Sequence, residues 1–276
     1  MNKLISGGLL NLAVASASWG LTPEEIIAKV EAKYAGLTSI AIDGTAVSEY
    51  NAPVDSNDGT THTSVTNYKI RLARPALYRI EWNASKIRSA ADVGAVWSSG
   101  GQHHLFLVGK VSERDDLEAN LGAAAGVSSG ATHTIPNLFF AQPTNLLRSI
   151  ANATVLPDET VRDLDCYVIS GDIRGQKLTV WITKDFLLIQ NRHIHRGPIT
   201  IPESSDEELR KNQERHQLSA TPEDVARMRE TIQRARKRAV NFKGTSTETV
   251  DSIELNPPLE KEIFETRNSA LPSLPR

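Results

Sequence analysis

Residues 72–82 read Leu72-Ala73-Arg74-Pro75-Ala76-Leu77-Tyr78-Arg79-Ile80-Glu81-Trp82, and the placement of this run decides the fold. Beyond the proline it alternates as a strand does, with Ile80 and Trp82 on one face and Arg79 and Glu81 on the other. Within it, Arg74-Pro75 breaks the pattern. Proline has no N–H to give to a sheet ladder, so it belongs at an edge, a bulge or a strand end. A bulge at Pro75 would bend the strand, which predicts a sheet that curves.

The same period-two texture extends outward on both sides. Ile40 and Ile42, the run 44–50, Tyr68 to Leu72, Gly94 to Ser98 and His104 to Lys110 read as successive strands separated by turn-rich segments. A second group follows at Thr154–Val155, Cys166–Ser170, Lys177–Thr183 and Phe186–His195, with a last strand over 240–253. Strands in succession without helices between them predict an antiparallel meander rather than a βαβ sheet. Helices are expected elsewhere. Thr22-Pro23-Glu24-Glu25 is a capping box with proline at the first helical position, so a helix is predicted over 22–35. Between 112 and 153 a short helix capped by Ser112, a Gly/Ala/Ser-rich loop (122–130) and a helix from Thr144 to Ala151 are predicted. The apolar residues of that region, among them Leu138, Phe139, Leu146 and Ile150, need a sheet to cover.

The interval 203–238 differs from the rest. It carries eight acidic and nine Lys/Arg residues and has a second Thr-Pro-Glu-Asp start at Thr221. Val225, Met228, Ile232, Ala235 and Ala239 form a narrow apolar stripe, so a charged helical hairpin inserted between two strands is expected. Arg227, Arg229, Arg234, Arg236, Lys237 and Arg238 could face nucleic acid or anionic lipid. The acids of the preceding half favour a solvated, salt-bridged face instead.

Bulk properties narrow the function classes. A formal charge of −2 over 276 residues gives no global field to recruit nucleic acid. Lys3 followed by the mildly apolar run Leu4–Ala17 and small-x-small sites has the outline of a secretory signal peptide over 1–20. A domain over 21–266 and a Pro-rich flexible tail over 267–276 would follow, in a periplasmic or secreted protein. No later segment approaches the ~18 apolar residues of a membrane span. The single cysteine, Cys166, lies in a strand-like Cys-Tyr-Val-Ile context and reads as a small buried side chain, not a reactive thiol. The absence of a cysteine near the N-terminus predicts a free protein, not one anchored by an N-terminal lipid.

Catalytic signatures are missing. There is no Walker loop, nucleophile elbow, His-Glu-x-x-His or Gly-x-Gly-x-x-Gly. Asp115-Asp116, Asp163/Asp165 and Glu207-Glu208 fall at helix starts or turns, where acids serve local roles. His103-His104 and His193/His195 could meet on adjacent strands around a metal. No cysteine or acid completes such a set, so no metal and no cofactor are expected.

The order of elements and four motifs resemble the periplasmic lipoprotein-carrier superfamily (LolA/LolB-like), and more closely an uncharacterised bacterial branch of it. The motifs are the opening amphipathic helix, the Arg74-Pro75 strand, the hairpin Asp165–Ser170 with Leu178–Ile182, and Glu254-Leu255-Asn256-Pro257-Pro258-Leu259 with Phe264. Thr183 departs from the family's Trp-Ile-Asp, and the 203–238 hairpin and the 122–130 loop depart from the carriers. The resemblance implies an α+β fold in which a curved antiparallel sheet forms an incomplete β-barrel with helices over its concave face. It implies an apolar ligand, such as a lipid or lipoprotein acyl chain, in that concavity. It also implies that Arg74 hydrogen-bonds lid backbone to hold the closed state, with capping of a strand end as the neutral alternative. Candidates to line the cavity are Leu72, Ile80, Trp82, Trp97, Phe106 and Trp181, each equally explicable as core. A non-enzymatic exported binding protein is therefore expected. The alternative is a cell-envelope sensor or structural module that binds a protein partner through 203–238.

Overall fold

Two antiparallel meanders meet where β1 (Ser39–Asn51) pairs with β11 (Lys243–Leu255), strands from opposite ends of the chain. The computed structural model describes residues 20–51, 61–85, 92–99, 101–126, 128–196, 205–215, 221–239 and 243–265. The leader expected over 1–20 (but for Gly20) and the tail over 267–276 lie outside them. The first meander runs through β2 (Thr61–Ala73), β3 (Leu77–Ala84), β4 (Val93–Ser99), β5 (Gln102–Leu107) and β6 (Lys110–Arg114). The second comprises β7 (Ala151–Val161), β8 (Leu164–Ile173), β9 (Gln176–Thr183) and β10 (Leu188–Arg196). Together they form one 11-stranded sheet in the order β6-β5-β4-β3-β2-β1-β11-β10-β9-β8-β7. β6 and β7 form its two edges and are not paired with each other, so the sheet is open.

The fold is α+β. α1 (Pro23–Ala35) starts on the predicted capping box: Glu25 N donates to Thr22 Oγ1 and Thr22 N donates to Glu25 Oε2. It buries Ile26, Val30 and Tyr34, the face that its apolar spacing marks out. α2 (Leu117–Ala124) and α3 (Thr134–Phe139) contribute Leu121, Ile135, Leu138 and Phe139 to the same core. Against them stand in-register rows from the sheet, such as Ile42, Ile70, Ile80, Val96 and Leu105. We call this helix-covered side the inner face. None of the helices among the described residues is long and apolar enough to cross a membrane.

Several expectations shift. Arg74-Pro75 does not bend a strand. It occupies the tight connection between β2 and β3, through a cis peptide bond, with Leu72 paired to Tyr78 and Ala73 to Leu77. A turn asks for no ladder N–H at Pro75, so the proline sits there without loss. Bulges at other places disturb the ladder instead, in β1 at Asp43/Gly44, in β10 at Leu188/Gln190 and twice in β7. The helix predicted over 144–151 is only a 3-10 turn at Leu147–Ser149, because Asn145 Oδ1 takes the Arg148 N–H and the chain extends into β7 at Ala151. Asp116, not Ser112, caps α2 by accepting from Ala119 N at 2.7 Å, and Ser112 lies within β6.

The inserted segment forms α4 (Asp206–Arg215) and α5 (Pro222–Ala239) between β10 and β11. Leu209 and Val225 are buried, and Arg229 pairs with Asp206 across the two helices. Arg227 pairs with Asp224, so the basic residues described here serve local ion pairs. Side chains beyond Gln233 lie outside the described residues. At the other end of β11, Asn256 Oδ1 accepts from both the backbone N and Oγ1 of Thr38, and Ser39 Oγ donates to Pro257 O at 2.6 Å. The Asn-Pro signature therefore fastens β11 to the entry of β1.

Two large aromatics lie flat on glycines of neighbouring strands. A Cβ on Gly94 would stand 2.1 Å from Cζ2 of Trp82, and one on Gly44 would stand 2.2 Å from Cζ of Tyr68. Gly94→Ala should therefore destabilise the fold by about 1–3 kcal/mol through overpacking, measured as a lowered denaturation midpoint. An unchanged midpoint would mean that Trp82 moves aside at no cost.

Candidate functional site

The period-two register sorts the expected cavity residues onto two faces. Leu72, Ile80 and Trp82 point inward, each essentially buried, among Ile40, Ile70, Tyr78 and the helices. Trp97 and Phe106 do not join them. Trp97 pairs with Arg79 and Phe106 with Ala95, residues of the opposite face, where Trp97, Phe106 and Ala95 form a separate small cluster. His104 stacks on Trp97 and the Arg79 guanidinium lies 5.9 Å from the indole. Trp181 alternates with the inward Val180 and likewise faces out. Its Nε1 donates to Glu159 at 2.8 Å, and Arg192 lies 5.3 Å over its ring. Size and apolarity alone could not distinguish these faces, because both sides of the sheet hold buried tryptophan.

Arg74 stands at the rim where the helical cover meets the sheet. Its Nη2 donates to Phe139 O at 2.5 Å and Tyr34 O at 3.5 Å, and its Nε donates to Leu37 O at 3.3 Å. The guanidinium also lies 4.7 Å over the Phe139 ring. Tyr34 and Leu37 mark the C-terminal end of α1, and Phe139 is the last residue of α3. Carbonyls at helix C-terminal ends carry partial negative charge, so one cation meets two helix termini there. A second tie joins the cover to α1. Arg148 grips Glu31 through two bonds of 2.6 and 3.1 Å and Asn145 donates to the same carboxylate. The Arg148 bond, partly offset by burial, holds the Glu31 carboxyl below its usual range.

Polar groups are threaded through the inner face. Asn120 of α2 donates to Tyr78 OH at 2.7 Å and to His104 O at 2.9 Å, and Tyr78 OH lies 2.8 Å from His103 Nδ1. Burial pushes the Tyr78 phenol up and His103 down. Deeper, Glu248 of β11 is buried and its Oε2 accepts from Thr134 Oγ1 of α3 (2.8 Å) and Asn191 Nδ2 of β10 (2.7 Å). Burial raises its pKa, against the lowering pull of hydrogen bonds with Asn191, Thr134 and Tyr68. The sequence did hold a signal for Glu248: it shares a strand face with Val250, two residues on, and that face is the apolar one.

The four histidines considered for a metal do not converge. His103 and His104 point to opposite faces, as neighbours in a strand must, and β5 lies six positions from β10 in the sheet. His193 and His195 stack on each other, with ring centroids 6.2 Å apart. Cys166 is buried, and burial raises its thiol pKa.

Among the described residues, side chains of the sheet and helices pack against one another on the inner face. A void of about 10 Å³ remains beneath α3, bounded by Tyr68, Thr134, Ile135, Leu188, Asn191 and Glu248. Larger clefts, of about 340 and 380 Å³, open on the outer face among charged residues such as Lys69, Arg79 and Glu81.

This architecture defines a class: an open half-barrel of antiparallel strands whose apolar inner face is roofed by helices that polar contacts hold at the rim. No family model and no curated protein matches the chain. Solved structures similar to it include lipoprotein LppX of Mycobacterium tuberculosis, at 15% identity, covering 85% of this chain and 98% of that one with a TM-score of 0.35. LprF of Mycobacterium bovis is 10% identical, with 86% and 94% covered and a TM-score of 0.40. A LolA superfamily protein of Nitrosomonas europaea is 12% identical, with 91% and 100% covered and a TM-score of 0.31.

His193 offers a direct check on the interior. Burial, then the neighbouring His195, depress its pKa from 6.5 to about 4. An imidazole kept neutral in the folded chain but free to protonate in the unfolded one makes the unfolded state the better proton binder. Its contribution to stability is thus lost as pH falls from about 6.5 toward about 4. The stability difference between wild type and His193→Gln should change across that window, in denaturant titrations, and stay flat above pH 7.

Proposed function

We propose that the protein is an exported, non-enzymatic binding protein that holds a lipid acyl chain or a similar apolar ligand between the inner face of the sheet and its helices. Its place would be periplasmic or secreted, and it would serve as a lipid or lipoprotein carrier. The observation that carries this is Arg74. An apolar face and its helical roof, fastened at the rim by one guanidinium on three backbone carbonyls, form a closure that can be released without breaking the sheet. Hydrogen bonds to a charged group contribute on the order of 1.5–3 kcal/mol each when fully formed. Each methylene that a ligand brings out of water returns about 0.8 kcal/mol. A chain of ordinary acyl length therefore suffices to exchange roof contacts for ligand contacts. Leu72, Ile80 and Trp82 would line the occupied cavity, and Arg74 would latch the roof.

A second function is favoured by one observation. α4 and α5 bury Leu209 and Val225 and pair Arg229 with Asp206, an exposed, charged hairpin set between two strands. Such a unit suits a protein partner in the cell envelope, as a sensor or structural module would need.

Native mass spectrometry of purified protein should show co-purifying lipid or uptake of added fatty acyl probes. Arg74→Leu should lower retention of those probes several-fold and raise hydrogen exchange in α3. Ligand-free spectra at every probe concentration would sink the carrier, and unchanged retention with unchanged exchange would remove Arg74 from the latch. Deletion of 203–238 should leave probe binding intact. Loss of capture of an envelope partner in that variant, with the fold preserved, would favour the second function.

A further inference from the structure

α2 is eight residues long, so it takes its place on the sheet from what its side chains meet there. Leu121 and Ala124 pack into the core, and Asn120, fully buried, supplies the polar contact. Its Nδ2 donates twice, to Tyr78 OH on β3 at 2.7 Å and to the backbone carbonyl of His104 on β5 at 2.9 Å. That carbonyl can only accept, so it fixes which end of the Asn120 amide faces the sheet. The order of donors then follows. Both Nδ2 hydrogens are spent, the Tyr78 oxygen accepts one of them, and the hydroxyl hydrogen goes to the remaining neighbour. That neighbour is His103 Nδ1, 2.8 Å away. Nδ1 accepts only as the unprotonated nitrogen, so the relay requires a neutral His103 with its hydrogen on Nε2.

Protonation of His103 reverses the last link. A hydrogen on Nδ1 points at an oxygen that already accepts from Asn120, and the Tyr78 hydroxyl hydrogen loses its acceptor although Tyr78 is fully buried. An unpaired buried donor costs more than a hydrogen bond gains. His103 itself is only partly buried, so solvent protons reach it. We propose that His103 is a pH-sensitive catch for α2, and that its protonation parts Asn120 from Tyr78 and lifts this helix from β3 and β5 while the sheet stays intact. This goes beyond the acyl-binding function proposed above and does not depend on it. Charged and titratable groups surround the imidazole. Arg114 stands opposite His103 on β6, Asp116 and Glu118 lie at the start of α2, and His104 follows on β5 toward the other face. Tyr78 on β3 and Ser98 on β4 add no charge. Asp116 draws a proton toward His103, but burial, the larger effect, holds its pKa below the ordinary 6.5, and His104 adds to this. Lifting α2 relieves that burial, so the docked state is the weaker proton binder. The docked state's advantage is complete above about pH 7 and is lost as pH falls below about 6.5.

Hydrogen exchange of the full chain, read by mass spectrometry at about pH 7.5 and about pH 5.5 and corrected for the intrinsic rates, tests the catch. Protection of α2 relative to β1 should fall about tenfold at the lower pH, the scale of one hydrogen bond. The comparison with β1 removes the global loss of stability that His193 brings in acid. His103→Asn keeps an acceptor near the Nδ1 position but takes up no proton, and its α2 should stay protected within about twofold at both pH values. Tyr78→Phe should leave α2 equally exposed to exchange at both. In wild type near neutral pH, 15N NMR should find the His103 hydrogen on Nε2. Undiminished protection of α2 in acid, the wild-type pH dependence persisting in His103→Asn, wild-type protection of α2 in Tyr78→Phe, or a neutral-pH hydrogen on Nδ1 each overturns the catch.

Discussion

The pairing of β1 with β11 is the constraint on which the rest of the structure depends. Each meander alone is a sheet with an unsatisfied edge strand. Only their union sets Ile42 opposite Ile253 and Ala46 opposite Glu248, joins β1 to the second group of strands, and so produces one continuous inner face wide enough to need three helices over it. The seam is secured at its end by Asn256, whose side chain occupies both donors of Thr38 across a sequence distance of 218 residues. A backbone at φ 54° lets Asn256 turn there, a conformation that asparagine tolerates better than most residues. The helices depend on the seam in turn, since Thr134 of α3 reaches Glu248 on β11 and Arg74 of the β2–β3 turn reaches Phe139 at the other end of the same short helix.

Polar groups enter the covered face at separate places, around Asn120 and Tyr78 under α2 and around Glu248 under α3. Hydrocarbon side chains meet the helices along most of the sheet, yet Glu248, Asn191 and Tyr68 gather under α3. Satisfied polar clusters fix the register of what packs on them. Arg74 and Glu248 thus bracket α3 with two different kinds of bond. One is a cation on helix-end carbonyls near the rim, and the other is a carboxyl on a threonine hydroxyl in the interior. A six-residue helix held this way carries little stability of its own and takes its position from its two anchors.

Much of this was legible in the residues. The capping box of α1, the succession of antiparallel strands, the inserted hairpin and the burial of Cys166 all follow from local signals that tertiary structure had no reason to override. The Arg-Pro motif singled out Arg74 by resemblance, and the structure sets its guanidinium against the carbonyls of Tyr34, Leu37 and Phe139. Facing was harder. Trp97, Phe106 and Trp181 are as large and apolar as Trp82, and only the strand registers place them outside. Pro75 allowed a bulge, an edge or a strand end, and the hairpin register of Leu72 with Tyr78 selected the last. The interval 144–151 had helical spacing, but Asn145 closed a single turn and the next residues were claimed by β7. Glu248 went unremarked because a glutamate in a threonine-rich strand looks solvated until its neighbour Val250 is placed against the core.

The seam between β1 and β11 also bears on how the molecule is made. A nascent chain completes β1 through β6 and then β7 through β10 long before Lys243 is added, and during that interval β1 and β10 each present a bare ladder edge above apolar side chains. Contacts this distant in sequence form slowly. Bare edges invite pairing with other chains. Synthesis therefore leaves an open sheet in waiting, and a chain cut short before β11 is a template for aggregation in place of a smaller version of the protein.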